Sequence, residues 1–291
     1  MAFATSLDDL LPPASTRSGY LLRLSRPRFW FYLAGPVVVG VTYAAETPGE
    51  LFAPLALALF AYFLLPANVY LYGVNDVFDA DVDEHNEKKD DREVRYRGGR
   101  LVVGVVLASA LLAVPFAFVL PWEALVAFLA FGLLATEYSA PPLRFKTTPF
   151  LDSLSNGLYV LPGVVGYAAL AGEWPPWAAV AGAWLWTMGM HTFSAIPDIE
   201  PDRAAGIRTT ATFLGKSRTY LYCAVCWVAA AAVFGLVHPF FATVLGAYPV
   251  IVLGIVRSEV DVSEAYWWYP AINTLVGMLI TMAGLWVLLY G

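Results

Sequence analysis

The chain has 291 residues, 59% of them hydrophobic and only 14% charged, with a formal net charge of −6 at pH 7. Soluble domains carry about a quarter charged residues, so this composition excludes that class and points to an integral membrane protein. The acidic balance, with no basic patch interleaved with stacking aromatics, excludes a general nucleic-acid binder.

From the N-terminus, residues 1–16 read as frayed or interfacial. Residues 17–30, where Arg23, Arg26 and Arg28 stand among Leu, Phe and Trp, read as a helix lying at the lipid headgroups, so that 1–28 forms an interfacial arm. The start has no basic segment followed by an apolar run, and no cleaved signal peptide is expected. A helical span needs roughly 20 apolar residues. Nine stretches qualify, near Phe29 to Ala45, Leu51 to Val74, Leu101 to Leu120, Trp122 to Thr136, Phe150 to Ala171, Pro175 to Ile196, Thr219 to Val237, Pro239 to Val256 and Tyr269 to Tyr290.

These spans divide the loops into two sets, and all 17 Lys and Arg fall in one of them. The other set carries only acids, at Glu46, Glu50, Glu123 and Glu173. By the positive-inside rule the N-terminus is expected in the cytoplasm and the C-terminus outside, in a multi-pass protein of the cell membrane surrounded by lipid. Residues 75–100 and 197–218 are then cytoplasmic cap loops. No Ser, Gly or Pro-rich linker divides the chain, so 1–291 reads as one membrane domain. A span running into an Asp-rich stretch and then a basic segment occurs twice, at 68–100 and 190–218, which suggests two halves of an all-α bundle meeting across a central cavity open to the cytoplasmic side. Cys223 and Cys226 lie inside one span with no second Cys or His pair at a ligand spacing, and read as small residues at a helix contact.

The chemistry lies in two acid clusters at span ends. On a helix, residues four apart share a face to within about 40°. Asn75, Asp79 and Asp83 therefore form one stripe, and Asp198 and Asp202 a second. Carboxylates beside lipid need a cation or an aqueous cavity, and facing oxygen-only ligands suit Mg²⁺ together with a substrate phosphate. A third polar segment, Tyr138-Ser139-Ala140-Pro141-Pro142-Leu143-Arg144-Phe145-Lys146, falls on the same side. Its prolines are expected to hold it extended, so that Arg144 and Lys146 project together as a phosphate clamp. Further bases follow each acid cluster, among them Lys88, Arg92 and Arg208.

Several single residues carry two readings. Asn68, two turns before Asn75, either orients a leaving group or acceptor or bonds a neighbouring helix, and His191, seven before Asp198, either takes a final proton or is structural. Asp76 reads as an outer neighbour of a metal, Asp81 as a solvent residue, and Asp152 as a partner for a nearby base. Glu200 is left out of the metal set: on a continuing helix it would sit opposite Asp198 and Asp202, a geometry that Pro201 disturbs.

In order and spacing these motifs resemble the UbiA family of intramembrane prenyltransferases over nearly the full chain. The family's Asn-x-x-x-Asp-x-x-x-Asp signature matches Asn75, Asp79 and Asp83; its Asp-x-x-x-Asp signature matches Asp198 and Asp202; and its Tyr-Ser-x-Pro-Pro-x-Arg-x-Lys segment matches Tyr138 to Lys146. The resemblance implies an all-α fold of nine helices around a cavity, with two Mg²⁺ held by Asn75, Asp79, Asp83, Asp198 and Asp202. It implies that Tyr138, Ser139, Arg144, Lys146, Lys88, Arg92 and Arg208 bind a prenyl diphosphate; Asn68 and His191, by their helical position alone, are candidates for the acceptor or the final proton. The runs Leu24 to Pro36 and Gly73 to Glu84 look most like the carotenoid-elongating branch, in which dimethylallyl diphosphate is the donor and lycopene the acceptor, the product cation being quenched by water or by proton loss. Rival acceptors are a quinone-precursor ring or geranylgeranylglyceryl phosphate. A nine-span cation or solute transporter is the rival of another class, against which the acids stand at span ends rather than at the midplane.

Overall fold

The computed structural model describes residues 11–13, 15–78, 99–258 and 260–291, and all regular structure among them is helical. The arm is α1 (Arg17–Leu24), capped by the Thr16 hydroxyl accepting from the Gly19 N–H. The apolar segments follow as α2 (Trp30–Ala44), α3 (Pro54–Leu64), α4 (Pro66–Phe78), α5 (Arg100–Leu111), α6 (Trp122–Glu137), α7 (Leu161–Ala171) and α8 (Trp177–Ser194). After two short helices, α9 (Ile199–Ala204) and α10 (Thr210–Leu214), come α11 (Lys216–Phe234), α12 (Pro239–Leu245), α13 (Ala247–Ser258) and α14 (Val262–Tyr290).

Six helical stretches of the described residues are long and apolar enough to cross a membrane: Pro54–Phe78, Arg100–Phe118, Leu151–Ala171, Lys216–Phe234, Pro239–Ser258 and Val262–Tyr290. The other three expected spans are α2, α6 and α8, with 15, 16 and 18 residues.

Proline placement explains most helix boundaries. Pro54, Pro66, Pro162 and Pro239 stand in the first two positions of their helices, where a missing N–H leaves no bond unmade. Several expected spans are consequently broken rather than continuous. The second is interrupted at Leu65, ahead of Pro66, and the break is repaired by Asn68, whose fully buried amide donates to the carbonyls of Phe63 (2.8 Å) and Leu64 (3.0 Å). The fifth is a single helical turn, Leu151–Leu154, then a 3₁₀ turn, Ser155–Tyr159, before α7. Trp184 Nε1 donates to Leu154 O at 2.8 Å across that break.

Two apolar clusters divide the bundle in the way the internal echo suggests. One gathers α2, α3, α4, α6 and α7 around Leu33, Phe63, Phe131 and Val165; the other gathers α8 and α11 to α14 around Phe193, Trp227, Tyr248 and Tyr269. Close helix approaches hold each half. A side chain on Gly40 of α2 would overlap the backbone of Gly163 on α7, and one on Gly189 of α8 would meet the Trp227 ring of α11. Cys223 and Cys226 are buried in the second half as free thiols, as the small-residue reading expects. Hydrogen bonds join the halves: Asn273 on α14 accepts from Tyr248 OH (2.7 Å) and donates to Tyr32 OH on α2 (2.9 Å), and Tyr43 OH donates to Ile280 O (2.8 Å).

Candidate active site

Between the halves lies a cavity of about 870 Å³. Most of its wall is apolar, from Phe29 and Leu71 to Met190 and Phe241, and one set of its polar groups lies at the end where α4 and α8 run into the acid motifs. Arg26, Asn75, Tyr138, Asn156 and His191 line that end. Three tyrosines stand beside them: Tyr32 packs edge-on to Tyr159, and the Tyr72 and Tyr159 hydroxyls are 3.3 Å apart.

The first acid motif begins on a helix that continues through Phe78, so Asn75 is presented on the α4 face expected for it. Asp79, Asp83, Lys88 and Arg92, like Asp81, lie outside the described residues. The second motif differs from the uninterrupted stripe read from the sequence. Pro197 stops α8, Ile196–Asp198 forms a 3₁₀ turn, and α9 starts at Ile199. Asp198 thus stands at the N-cap and Asp202 in the first turn. Pro201 falls in the same turn, where it disturbs nothing. Glu200 is exposed and pairs with Arg203 at 2.9 Å.

The Tyr138 to Lys146 segment is not the extended strand expected from its two prolines. It folds into a compact turn closed by Lys146 N to Tyr138 O (3.0 Å) and Arg144 N to Ala140 O (3.1 Å), with a cis Pro141–Pro142 bond and Arg144 in the left-handed region at φ 42°. The two bases are therefore placed by the turn and not by strand alternation. The turn touches the first motif. Ser139 Oγ donates to Asn75 Oδ1 at 2.5 Å, and Arg144 Nη2 donates to Phe78 O at 3.3 Å. Burial pushes the Lys146 ammonium down to about 8, while the charges of Asp76 and Asp202, one from each motif region, pull it back up.

Other residues have partners that differ from the sequence reading. Asp76 is buried and accepts from Arg26 Nη2 at 3.2 Å, while the Arg26 guanidinium lies 4.6 Å from the centre of the Tyr72 ring. It anchors the N-terminal arm to the motif. Among the described residues Asp152 pairs with no base: its carboxylate accepts from the Thr210 N–H (2.9 Å) and hydroxyl, tying its helical turn to the loop after the second motif. Arg208, at the mouth of a separate cleft with Arg203 and Thr212, is not among the residues lining the main cavity. Asn68 does not line it either and serves the helix break. His191 does line it, with Nε2 3.3 Å from Tyr138 OH.

A hard divalent cation fits the type of donor present, since Asn75, Asp198 and Asp202 offer oxygen only. Among the described residues no group of three or more His, Cys, Asp or Glu gathers to hold a metal, so these residues would supply part of a set completed by the acids of the first motif.

The UbiA prenyltransferase family model matches residues 33–269. The chain belongs to this family. Two relatives, each named lycopene elongase/hydratase, are 67% identical in Haloarcula japonica, over 98% of this chain and 97% of the relative, and 66% identical in Haloferax volcanii, over 94% and 90%. A solved UbiA homologue from Archaeoglobus fulgidus, bound to DMAPP and Mg²⁺, superposes with a TM-score of 0.68 at 22% identity, covering 93% of this chain and 99% of that one. At that identity the likeness shows the fold. The protein is a UbiA-type prenyltransferase of the membrane.

For this prenyltransferase the sequence reading missed Arg26, Asn156 and the tyrosine wall. Asn156 had a usable signal, as a lone amide in an apolar stretch between Leu154 and Leu158. The ion pair of Arg26 joins residues 50 apart and had none.

Proposed function

We propose that this enzyme transfers the dimethylallyl group from its diphosphate to an end of lycopene, with Mg²⁺, two ions, in attendance, and that water quenches the resulting cation. The observation that supports this reading is the cavity's lining: a chamber walled mainly by apolar side chains that Asn75 of the first motif, Tyr138 of the turn and His191 ahead of the second motif all reach. Its volume lies in the upper part of the roughly 300–1,000 Å³ range of small-molecule sites. That leaves room for a prenyl group beside the end of a polyene. The names of the haloarchaeal relatives supply the acceptor, and the ligands of the Archaeoglobus homologue supply the donor and metal.

Breaking the allylic C–O bond leaves negative charge on the diphosphate. Mg²⁺, held by Asn75, Asp79, Asp83, Asp198 and Asp202, would neutralise that charge. Arg144 and Lys146 add positive charge from the turn, with Lys88, Arg92 and Arg208 as further bases, and Tyr138 and Ser139 hold the turn against His191 and Asn75. The apolar wall excludes water from the allylic cation, and the rings of Tyr32, Tyr72 and Tyr159 present their faces and edges nearby. Chemistry at this end faces the cytoplasm, with the N-terminus inside and the C-terminus outside.

Purified protein in lipid vesicles, given Mg²⁺ and dimethylallyl diphosphate, should release diphosphate and elongate lycopene, as identified by mass spectrometry. Prenylation of 4-hydroxybenzoate or geranylgeranylglyceryl phosphate with lycopene left untouched would replace the acceptor. Solute flux without diphosphate release would defeat the reading as a whole.

A further inference from the structure

The new cation that forms on the acceptor is one bond away from the carbon that has just been joined to the prenyl group. It must therefore be quenched close to the diphosphate end of the chamber. A water molecule held there needs polar partners, and in an apolar cavity such places are few.

The cavity has a cluster of this kind outside the acid motifs. His191 projects from the last turn of α8, and its Nε2 lies 3.3 Å from the hydroxyl of Tyr138, the rings meeting edge-on with centroids 5.9 Å apart. Asn156 lines the same cavity. Its position is fixed from behind: Asn156 Nδ2 donates to Asp152 O at 2.6 Å, and Asp152 is buried and locked to Thr210. His191 Nδ1 makes no hydrogen bond to any described residue. Three hydrogen-bonding groups thus line the chamber from three different segments, one of them in the turn that contacts Asn75 and one about two helical turns ahead of the second motif.

Resting on the elongase reading above, we propose that His191, with Tyr138 and Asn156, holds the water that ends the reaction and that the His191 imidazole accepts its proton. The alkene π pair forms the new C–C bond as the allylic C–O bond breaks, its electrons leaving with the diphosphate. A lone pair of the held water forms a C–O bond to the tertiary cation. The resulting oxonium loses its proton to the imidazole, which passes it to the released diphosphate. Acceptor, prenyl diphosphate and water thus give an alcohol and diphosphate. Without the held water, the cation instead sheds a proton from a neighbouring carbon and gives an alkene. The enzyme's choice between hydration and proton loss is accordingly set by the cluster at the polar end.

The test measures the fraction of elongated carotenoid that carries a hydroxyl, with isotopically labelled water confirming the oxygen's origin. The fraction should fall by about tenfold or more in His191→Phe and in His191→Gln, the scale expected for losing a positioned proton acceptor. Gln keeps a hydrogen-bonding group for Tyr138 and guards against misfolding of the Phe variant. His238→Phe, changed at a helix cap far along the chain, should leave the fraction as it is. An unchanged hydroxyl fraction in both His191 variants overturns the assignment. So does loss of all prenyl transfer in both, since a group needed at the first step is not one reserved for the last. If the unaltered protein makes no elongated carotenoid, the acceptor reading fails first and the assignment falls with it.

Discussion

The polar end of the cavity and its apolar body are built by opposite rules. The body rests on long helices pressed together at small residues, as where Gly40 of α2 meets Gly163 of α7 and an added side chain would overlap backbone. The polar end is assembled where helices stop: at Pro197, in the turn at Pro141–Pro142, and in the loop before α10. Hydrogen bonds between distant segments hold parts of it, such as Ser139 to Asn75 and Thr210 to Asp152. Broken helices free backbone and bring charged residues in from several directions, which an unbroken transmembrane helix cannot do. The close-packed body then keeps those breaks in register.

If the two regions do separate tasks, substitutions in them should fail in different ways. The largest effect is expected at the acids. Asp198→Ala, Asp202→Ala or Asp79→Ala should lower diphosphate release by about a thousandfold, the order for removing support of developing transition-state charge, with thermal unfolding in detergent little changed. Asp81→Ala should leave the rate near that of the unaltered protein, and equal activity in all four variants would break the distinction between motif and bystander acids. Next comes the body. Gly40→Leu should destabilise the protein by about 3 kcal/mol, at the upper end of overpacking effects, because the obstructing atom is backbone and cannot turn aside. Its signature is a lower unfolding temperature with the remaining folded protein still active, and a catalytic loss without a stability loss would contradict it.

The smallest effect sharpens the comparison at Lys146. With its free-state pKa near 8, the ammonium is charged below that pH and increasingly neutral above it. Binding a diphosphate favours the charged form, so affinity for inorganic diphosphate should be full below pH 8. Above pH 8 it should fall by up to about tenfold per pH unit, as the lysine must first take up a proton. Calorimetric titration across that range checks the sign, and Lys146→Arg should flatten the profile, since a guanidinium stays charged throughout.

The sequence by itself determined the membrane class, the all-helical fold, the division into two halves and the residues of the acid motifs. Each is written locally: apolar run length, loop charge and spacing by four need no knowledge of distant contacts. Only the tertiary structure decided how these pieces are used. It turned the expected stripe of Asp198 and Asp202 into a helix start, the expected strand at Arg144 into a tight turn, and Asn68 from a candidate acceptor into the brace of a broken helix. It joined Arg26 to Asp76 and Asp152 to Thr210, pairs separated by 50 and 58 residues. A buried polar group takes whichever partner the fold brings within hydrogen-bonding distance, and one-dimensional spacing carries no record of which that is.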